Sequence, residues 1–107
     1  MSLEIQRLFN VEGKVSVVTG GSRGIGRMIA EGFVSNGIKT YITARKSDAC
    51  NQAAEELNHL GKGECISLPA DLSTAEGRAK FVDDLTSRED HLDVLVNNAG
   101  AAWGAPF

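Results

Sequence analysis

One tyrosine, one tryptophan and two cysteines in 107 residues leave little material for several kinds of chemistry. Cys50 and Cys65 form no C-x-x-C pair and show no metal-ligand spacing, so two reduced, packed thiols are expected and no metal site. His59 and His91 sit among polar neighbours near the ends of helical stretches and are expected to be solvated. Basic residues are not in excess: 11 Lys and Arg face 14 Asp and Glu, the net charge is −3, and the cations are scattered. No electrostatic footprint for a nucleic acid results. No apolar run approaches the length of a membrane span, and Met1 to Arg7 has neither the basic start nor the apolar core of a signal peptide. No membrane partner and a cytoplasmic location are expected. Repeats, low-complexity tracts and linkers are also missing, so residues 1–107 read as one soluble domain with a modest core.

What the chain does have is glycine at fixed offsets. Thr19-Gly20-Gly21-Ser22-Arg23-Gly24-Ile25-Gly26 directly follows the apolar run Val15-Ser16-Val17-Val18, where a buried strand must turn sharply into a helix. A dinucleotide-phosphate site needs one glycine for the tight turn, a second for close backbone approach to pyrophosphate, and a third so that the helix packs on the sheet. The helix start adds unpaired N–H groups and the positive end of its dipole. A Walker loop started at Gly21 reaches Gly26 but then meets Arg27 and Met28 in place of Lys and Ser or Thr, which excludes a kinase or GTPase. The G-x-G-x-x-G form fails as well, because Ile29 stands where the third glycine belongs.

The rest of the chain alternates between two periodicities. Ile25, Ile29 and Phe33, with Met28 and Ala30 beside them, predict a first helix that stops at Asn36-Gly37. Ile38 to Ala44 predicts a strand. Ser47 is expected to cap a second helix with the stripe Ala49, Ala53, Leu57 and Leu60, ending at Gly61. Glu64 to Leu68 predicts a strand stopped by Pro69. Ser73-Thr74-Ala75-Glu76 fits a capping box, with Ser73 as cap, for a third helix through Ala79, Val82 and Leu85 with Phe81 flanking. Leu92 to Val96 is a fourth strand that ends in Asn97-Asn98-Ala99-Gly100. The βαβαβαβ order implies an α/β fold: the first half of a Rossmann-type, doubly wound parallel sheet, with its ligand beyond the carboxyl ends of the strands. The acidic residue that accepts a ribose 2′-OH belongs at the end of the second strand, where this chain carries Arg45 and Lys46, so a 2′-phosphate is expected.

With TGGSRGIG at 19–26, Asp71-Leu72 after the third strand and NNAG at 97–100, the chain resembles the short-chain dehydrogenase/reductase family. Within it, the chain is most similar to the 3-oxoacyl-[acyl-carrier-protein] reductases, in the branch serving rhamnolipid precursor synthesis. The resemblance implies an NADP(H)-dependent oxidoreductase acting on a small-molecule ketone or acyl thioester, and a homo-oligomer, dimer or tetramer, for the parent protein. It implies that Gly20, Ser22, Arg23, Gly24, Ile25 and Gly26 hold the pyrophosphate and adenosine ribose. Asp71 and Leu72 would meet the adenine, Asn98 and Ala99 the adenosine, and Gly100 the nicotinamide side; Asn97 would be structural. The family's catalytic Ser and Tyr-x-x-x-Lys have no counterpart here, since the only tyrosine is Tyr41 inside the second strand. The chain is therefore expected to be an inactive, cofactor-binding fragment with the fourth strand as an uncovered edge. The alternative is a non-catalytic NADP(H)-binding module.

Overall fold

A computed structural model describes residues 10–60 and 62–98. In chain order the elements are β1 (Val15–Thr19), α1 (Gly24–Ser35), β2 (Lys39–Thr43), α2 (Ser47–Asn58), β3 (Cys65–Ser67), α3 (Ala75–Arg88) and β4 (Val94–Val96). The strands form one parallel sheet in the order β3-β2-β1-β4. Val17 stands at the centre, paired with Tyr41 of β2 on one side and Leu95 of β4 on the other. Two crossovers carry the chain outward from β1 to β3, and the third returns it past β1 to β4. Crossovers of one hand then place α3 on the opposite face from α1 and α2.

Alternation along the strands sorts the side chains into two cores. Val18 and Ile42 join Ala30 and Val34 of α1 and Cys50, Ala53, Ala54 and Leu57 of α2 on one face. Val15, Val17 and Tyr41 meet Leu68 and Phe81 on the other. Because both faces are covered, all five residues of β1 are buried, which explains its nearly unbroken apolar run. Ser16 interrupts that run, and its hydroxyl donates to Thr40 Oγ1 across the strands at 3.1 Å. Cys50 and Cys65 are free and buried, as expected, and burial pushes the Cys65 thiol up to about 12.

All three helices occur, and each buries part of the predicted stripe, with Ile29, Ala30 and Phe33 of α1, Ala53 and Leu57 of α2, and Phe81 and Leu85 of α3 packed on the sheet, while the rest of each stripe turns outward. In α1 the buried residues are Gly26, Ala30 and Val34, while Ile25 and Met28 are 69 % and 72 % exposed. Small residues four apart let the helix axis approach the sheet, which large residues on that line would prevent. In α2 the inward residues include Cys50 and Ala54, and Ala49 and Leu60 are exposed. The helix ends at Asn58, and Gly61 lies outside the described residues. In α3, Phe81 is buried and Val82 is 54 % exposed; Ala79 also faces out. Gly77, Phe81 and Leu85, four apart, form the true inner line.

Two helix starts also differ from expectation. Ser47 is the first residue of α2 itself, after Lys46, which makes no side-chain cap. At α3 the cap is Thr74, whose hydroxyl accepts the Gly77 N–H at 2.9 Å. The Ser73 hydroxyl points back instead and donates to Asp71 Oδ1. The amino end of the sheet is bound by charge. Glu89, just after α3, accepts the Tyr41 hydroxyl and pairs with Lys39. Asp93 Oδ2 accepts the Val15 N–H at 2.8 Å and starts the β1–β4 pairing.

Two substitutions separate the inner and outer faces of α3. Phe81→Ala should lower stability by about 3–4 kcal/mol in urea unfolding, whereas Val82→Ala should stay within about 0.5 kcal/mol of the parent. Comparable losses would place Val82 in the core.

Candidate functional site

The carboxyl ends of the strands carry the candidate site, centred on the turn from β1 into α1. Gly20 leaves the strand at φ +66°, and its N–H donates to the Thr43 carbonyl at 2.8 Å. The Gly21 N–H reaches the same carbonyl at 3.3 Å, so β2 clamps the turn from the side. A side chain on Gly21 would run into Ile42. Gly24 begins the helix at φ +61°, and a Cβ there would meet nothing within 4 Å. Gly26 is the reverse case, since a Cβ would overlap the Gly20 carbonyl and crowd Asn98 Nδ2 at 2.5 Å. The three predicted glycine duties thus fall on different residues: turning on Gly20, open approach on Gly24, and close packing on Gly26.

The start of α1 is left bare. Arg23 occupies the cap position without a side-chain cap bond, and the first turn holds no acidic residue. The first helical bond runs from the Arg27 N–H to the Arg23 carbonyl at 3.3 Å, so the N–H groups of Gly24, Ile25 and Gly26 precede the ladder. This end of the helix carries partial positive charge above an open glycine, which suits an anionic group. Arg23 is exposed beside it, as is Ile25.

Thr19 ties the turn to the end of β4. Its hydroxyl oxygen accepts the Asn98 N–H at 2.7 Å and lies 3.3 Å from both the Val96 carbonyl and Asn97 Oδ1. Asn98 Nδ2 also reaches the Gly20 carbonyl at 3.5 Å. Both asparagines therefore brace the frame of the site. The sequence reading gave Thr19 no role, although its place directly before Gly20 was the available signal.

On the β2–β3 side, the Ala70 N–H donates to the Ala44 carbonyl at 3.1 Å and brings the segment carrying Asp71 beside Arg45. Asp71 Oδ1 accepts both the N–H and the hydroxyl of Ser73. Those bonds, with the Arg45 charge, hold its carboxyl below the usual carboxylate range. The Asp71 carbonyl also accepts the Thr74 N–H and hydroxyl. A Cβ on Gly77 would overlap that carbonyl. Gly77 and Thr74 thus fix the Asp71 turn, and neither role was read from the sequence. Arg45 is exposed, Leu72 is partly buried against the α3-side core, and Thr43 Oγ1 is buried without a hydrogen-bond partner. Ala99 and Gly100 lie outside the described residues, as do Trp103 and Phe107. Tyr41 belongs elsewhere: it is 1 % exposed, inside the sheet, with its hydroxyl on Glu89.

Residues 14–107 match the short chain dehydrogenase family. The chain is 44 % identical over 97 residues to the rhamnolipids biosynthesis 3-oxoacyl-[acyl-carrier-protein] reductase of Pseudomonas aeruginosa, covering 91 % of this chain and 37 % of that protein. It is 41 % identical to 11-beta-hydroxysteroid dehydrogenase-like 2 of Arabidopsis thaliana, covering 85 % of this chain and 30 % of the relative. Among solved structures, the Pseudomonas aeruginosa RhlG/NADP active-site complex superposes with a TM-score of 0.81 at 43 % identity, over 87 % of this chain and 37 % of the other. The L-sorbose reductase of Gluconobacter frateurii, complexed with NADPH and L-sorbose, gives 0.80 at 38 % identity, over 86 % and 35 %. The chain spans roughly a third of the length of these proteins.

The three glycine duties predict three distinct mutant behaviours. Gly26→Ala should cost about 1–3 kcal/mol of stability through backbone overlap. Gly24→Val should leave a folded protein that no longer binds a dinucleotide, whereas Ser22→Ala should only weaken binding by losing one hydrogen bond. Titration calorimetry paired with thermal unfolding checks all three. Equal dinucleotide binding by the Gly24 and Ser22 variants would move the phosphate site away from this turn.

Proposed function

The chain belongs to the short-chain dehydrogenase family, and we propose that it forms the cofactor-binding half of an NADP(H)-dependent carbonyl reductase. One observation carries the proposal: Gly24 stands at positive φ with open space above it, at an uncapped helix start whose first turn holds no acidic residue. A pyrophosphate fits there, held by backbone N–H groups that have no helical acceptor. Gly20, Ser22, Arg23, Ile25 and Gly26 would complete that cradle. Asp71 would take the adenine amino group on Oδ2, since its two accepted bonds fall on Oδ1. Leu72 would flank the ring, and Asn98, Ala99 and Gly100 would follow the cofactor toward its nicotinamide. When bound, the nicotinamide supplies the hydride.

Arg45 supports the 2′-phosphate form. The position after β2 where a ribose-binding carboxylate would sit holds an exposed guanidinium, and Arg23, exposed in the glycine turn, would flank the same phosphate. Two structural relatives are themselves complexes with NADP or NADPH. The substrate proposed for the parent is a 3-oxoacyl thioester or similar ketone, by likeness to the Pseudomonas reductase. We assign proton transfer to groups outside this chain, because Tyr41 is buried inside the sheet with its hydroxyl on Glu89. A cytoplasmic homo-oligomer completes the proposal, and among the described residues no helix is long and apolar enough to cross a membrane.

Cofactor choice tests the proposal directly. In the full-length protein that carries this sequence, Arg45→Asp should weaken NADPH binding about tenfold to a hundredfold while NADH binding holds or improves. Fluorescence titration with both cofactors reads the split. An equal loss for both, or no change for either, would overturn the role of Arg45.

A further inference from the structure

β3 ends the sheet on one side, and end strands expose alternate N–H and C=O groups to any strand that can reach them. Here the alternation is set by the pairing with β2. The Glu64 carbonyl accepts the Thr40 N–H at 2.7 Å, and the Leu68 N–H donates to the Ile42 carbonyl at 2.9 Å. Residues between them in alternation, Cys65 first, direct their backbone groups away from β2. Both outward groups of Cys65 are already occupied. Its N–H donates to Asn58 Oδ1 at 2.8 Å, and its carbonyl accepts from Asn58 Nδ2 at 2.8 Å. The second hydrogen of that amide goes to the Ala54 carbonyl at 2.9 Å, inside the last turns of α2. One side-chain amide thus presents to Cys65 the donor and acceptor pair that a peptide group of a neighbouring strand would present. Seven residues earlier on α2, Asn51 Oδ1 accepts the Ser67 hydroxyl at 2.6 Å and ties down the other end of the strand.

We propose that Asn58 is a strand-mimicking plug that closes the β3 side of the sheet to strand addition by a second copy of this chain. The plug works because its three hydrogen bonds hold it in one orientation, and because the short strand offers few other outward groups. It is independent of the proposed cofactor site, which lies at the carboxyl ends of the strands.

The test uses the full-length protein with Asn58→Ala and Asn58→Asp, beside Ile42→Val as a core variant of lowered stability. Amide hydrogen exchange should show Cys65 exchanging at least about tenfold faster in Asn58→Ala. Asn58→Asp keeps the acceptor for the Cys65 N–H but loses both donors, so its exchange should fall between Asn58→Ala and the parent. Light scattering at matched fractions unfolded should show Asn58→Ala associating faster than Ile42→Val. Unchanged Cys65 exchange in both Asn58 variants would overturn the proposal, as would association no faster than in the Ile42 variant. If Asn58→Ala does not fold, the Asn58→Asp comparison with Ile42→Val decides the matter alone.

Discussion

The approach of α1 to the end of β1 sets the position of every other part of the candidate site. At Gly26 the helix lies so close to the Gly20 carbonyl and the Asn98 amide that no side chain fits. That contact fixes where the bare helix start points, and it brings the ends of β1 and β4 within reach of one threonine hydroxyl. Protein interiors are packed closely enough that a single added carbon forces movement. The movement here would displace Gly24 and the uncapped N–H groups with it. The glycine turn is therefore a packing constraint first, and its capacity for an anion is a consequence.

Topology supplies the second half of the site. Because the third crossover returns past β1, the strand order reverses at the β1–β4 boundary, which is where open α/β sheets bind ligands over the strand ends. Into this region come Asn97 and Asn98, fixed by Thr19, while Arg45 and Asp71 are brought together on the β2–β3 side by one backbone hydrogen bond. Charge is divided between the two ends of the sheet. The amino end is tied by Glu89 and Asp93, and the carboxyl end keeps an acid-free helix start at α1.

The fold class, the order of elements and the candidate rim were all legible in the sequence, because they depend on local signals. Glycine offsets report backbone conformations, a run of β-branched residues reports a buried strand, and Arg45 reports a charge at a strand end. The inward faces of the helices were less legible. Ile25, Met28 and Val82 look like core residues by periodicity, but the structure leaves them exposed, since the sheet accepts the lines that pass through Gly26 and Gly77, where only a glycine fits. Hydrophobicity alone gives a glycine no weight in choosing such a line. The α3 cap likewise falls on Thr74 rather than Ser73, whose hydroxyl turns back to Asp71 two residues away.

By itself, then, the sequence determined the alternation of strands and helices, the glycine turn, and the absence of a Tyr-x-x-x-Lys pair and of a carboxylate after β2. These are properties of neighbouring residues, carried by backbone freedom and side-chain charge. Only the tertiary structure decided that Thr19 joins the two ends of the site and that Asp71 is spent on one oxygen and open on the other. It alone made Gly77 as indispensable sterically as Gly26, and placed Asn58 across the outer side of β3. Each of those depends on atoms from segments distant in sequence or on packing across the sheet, and their distances exist only once the chain has closed on itself.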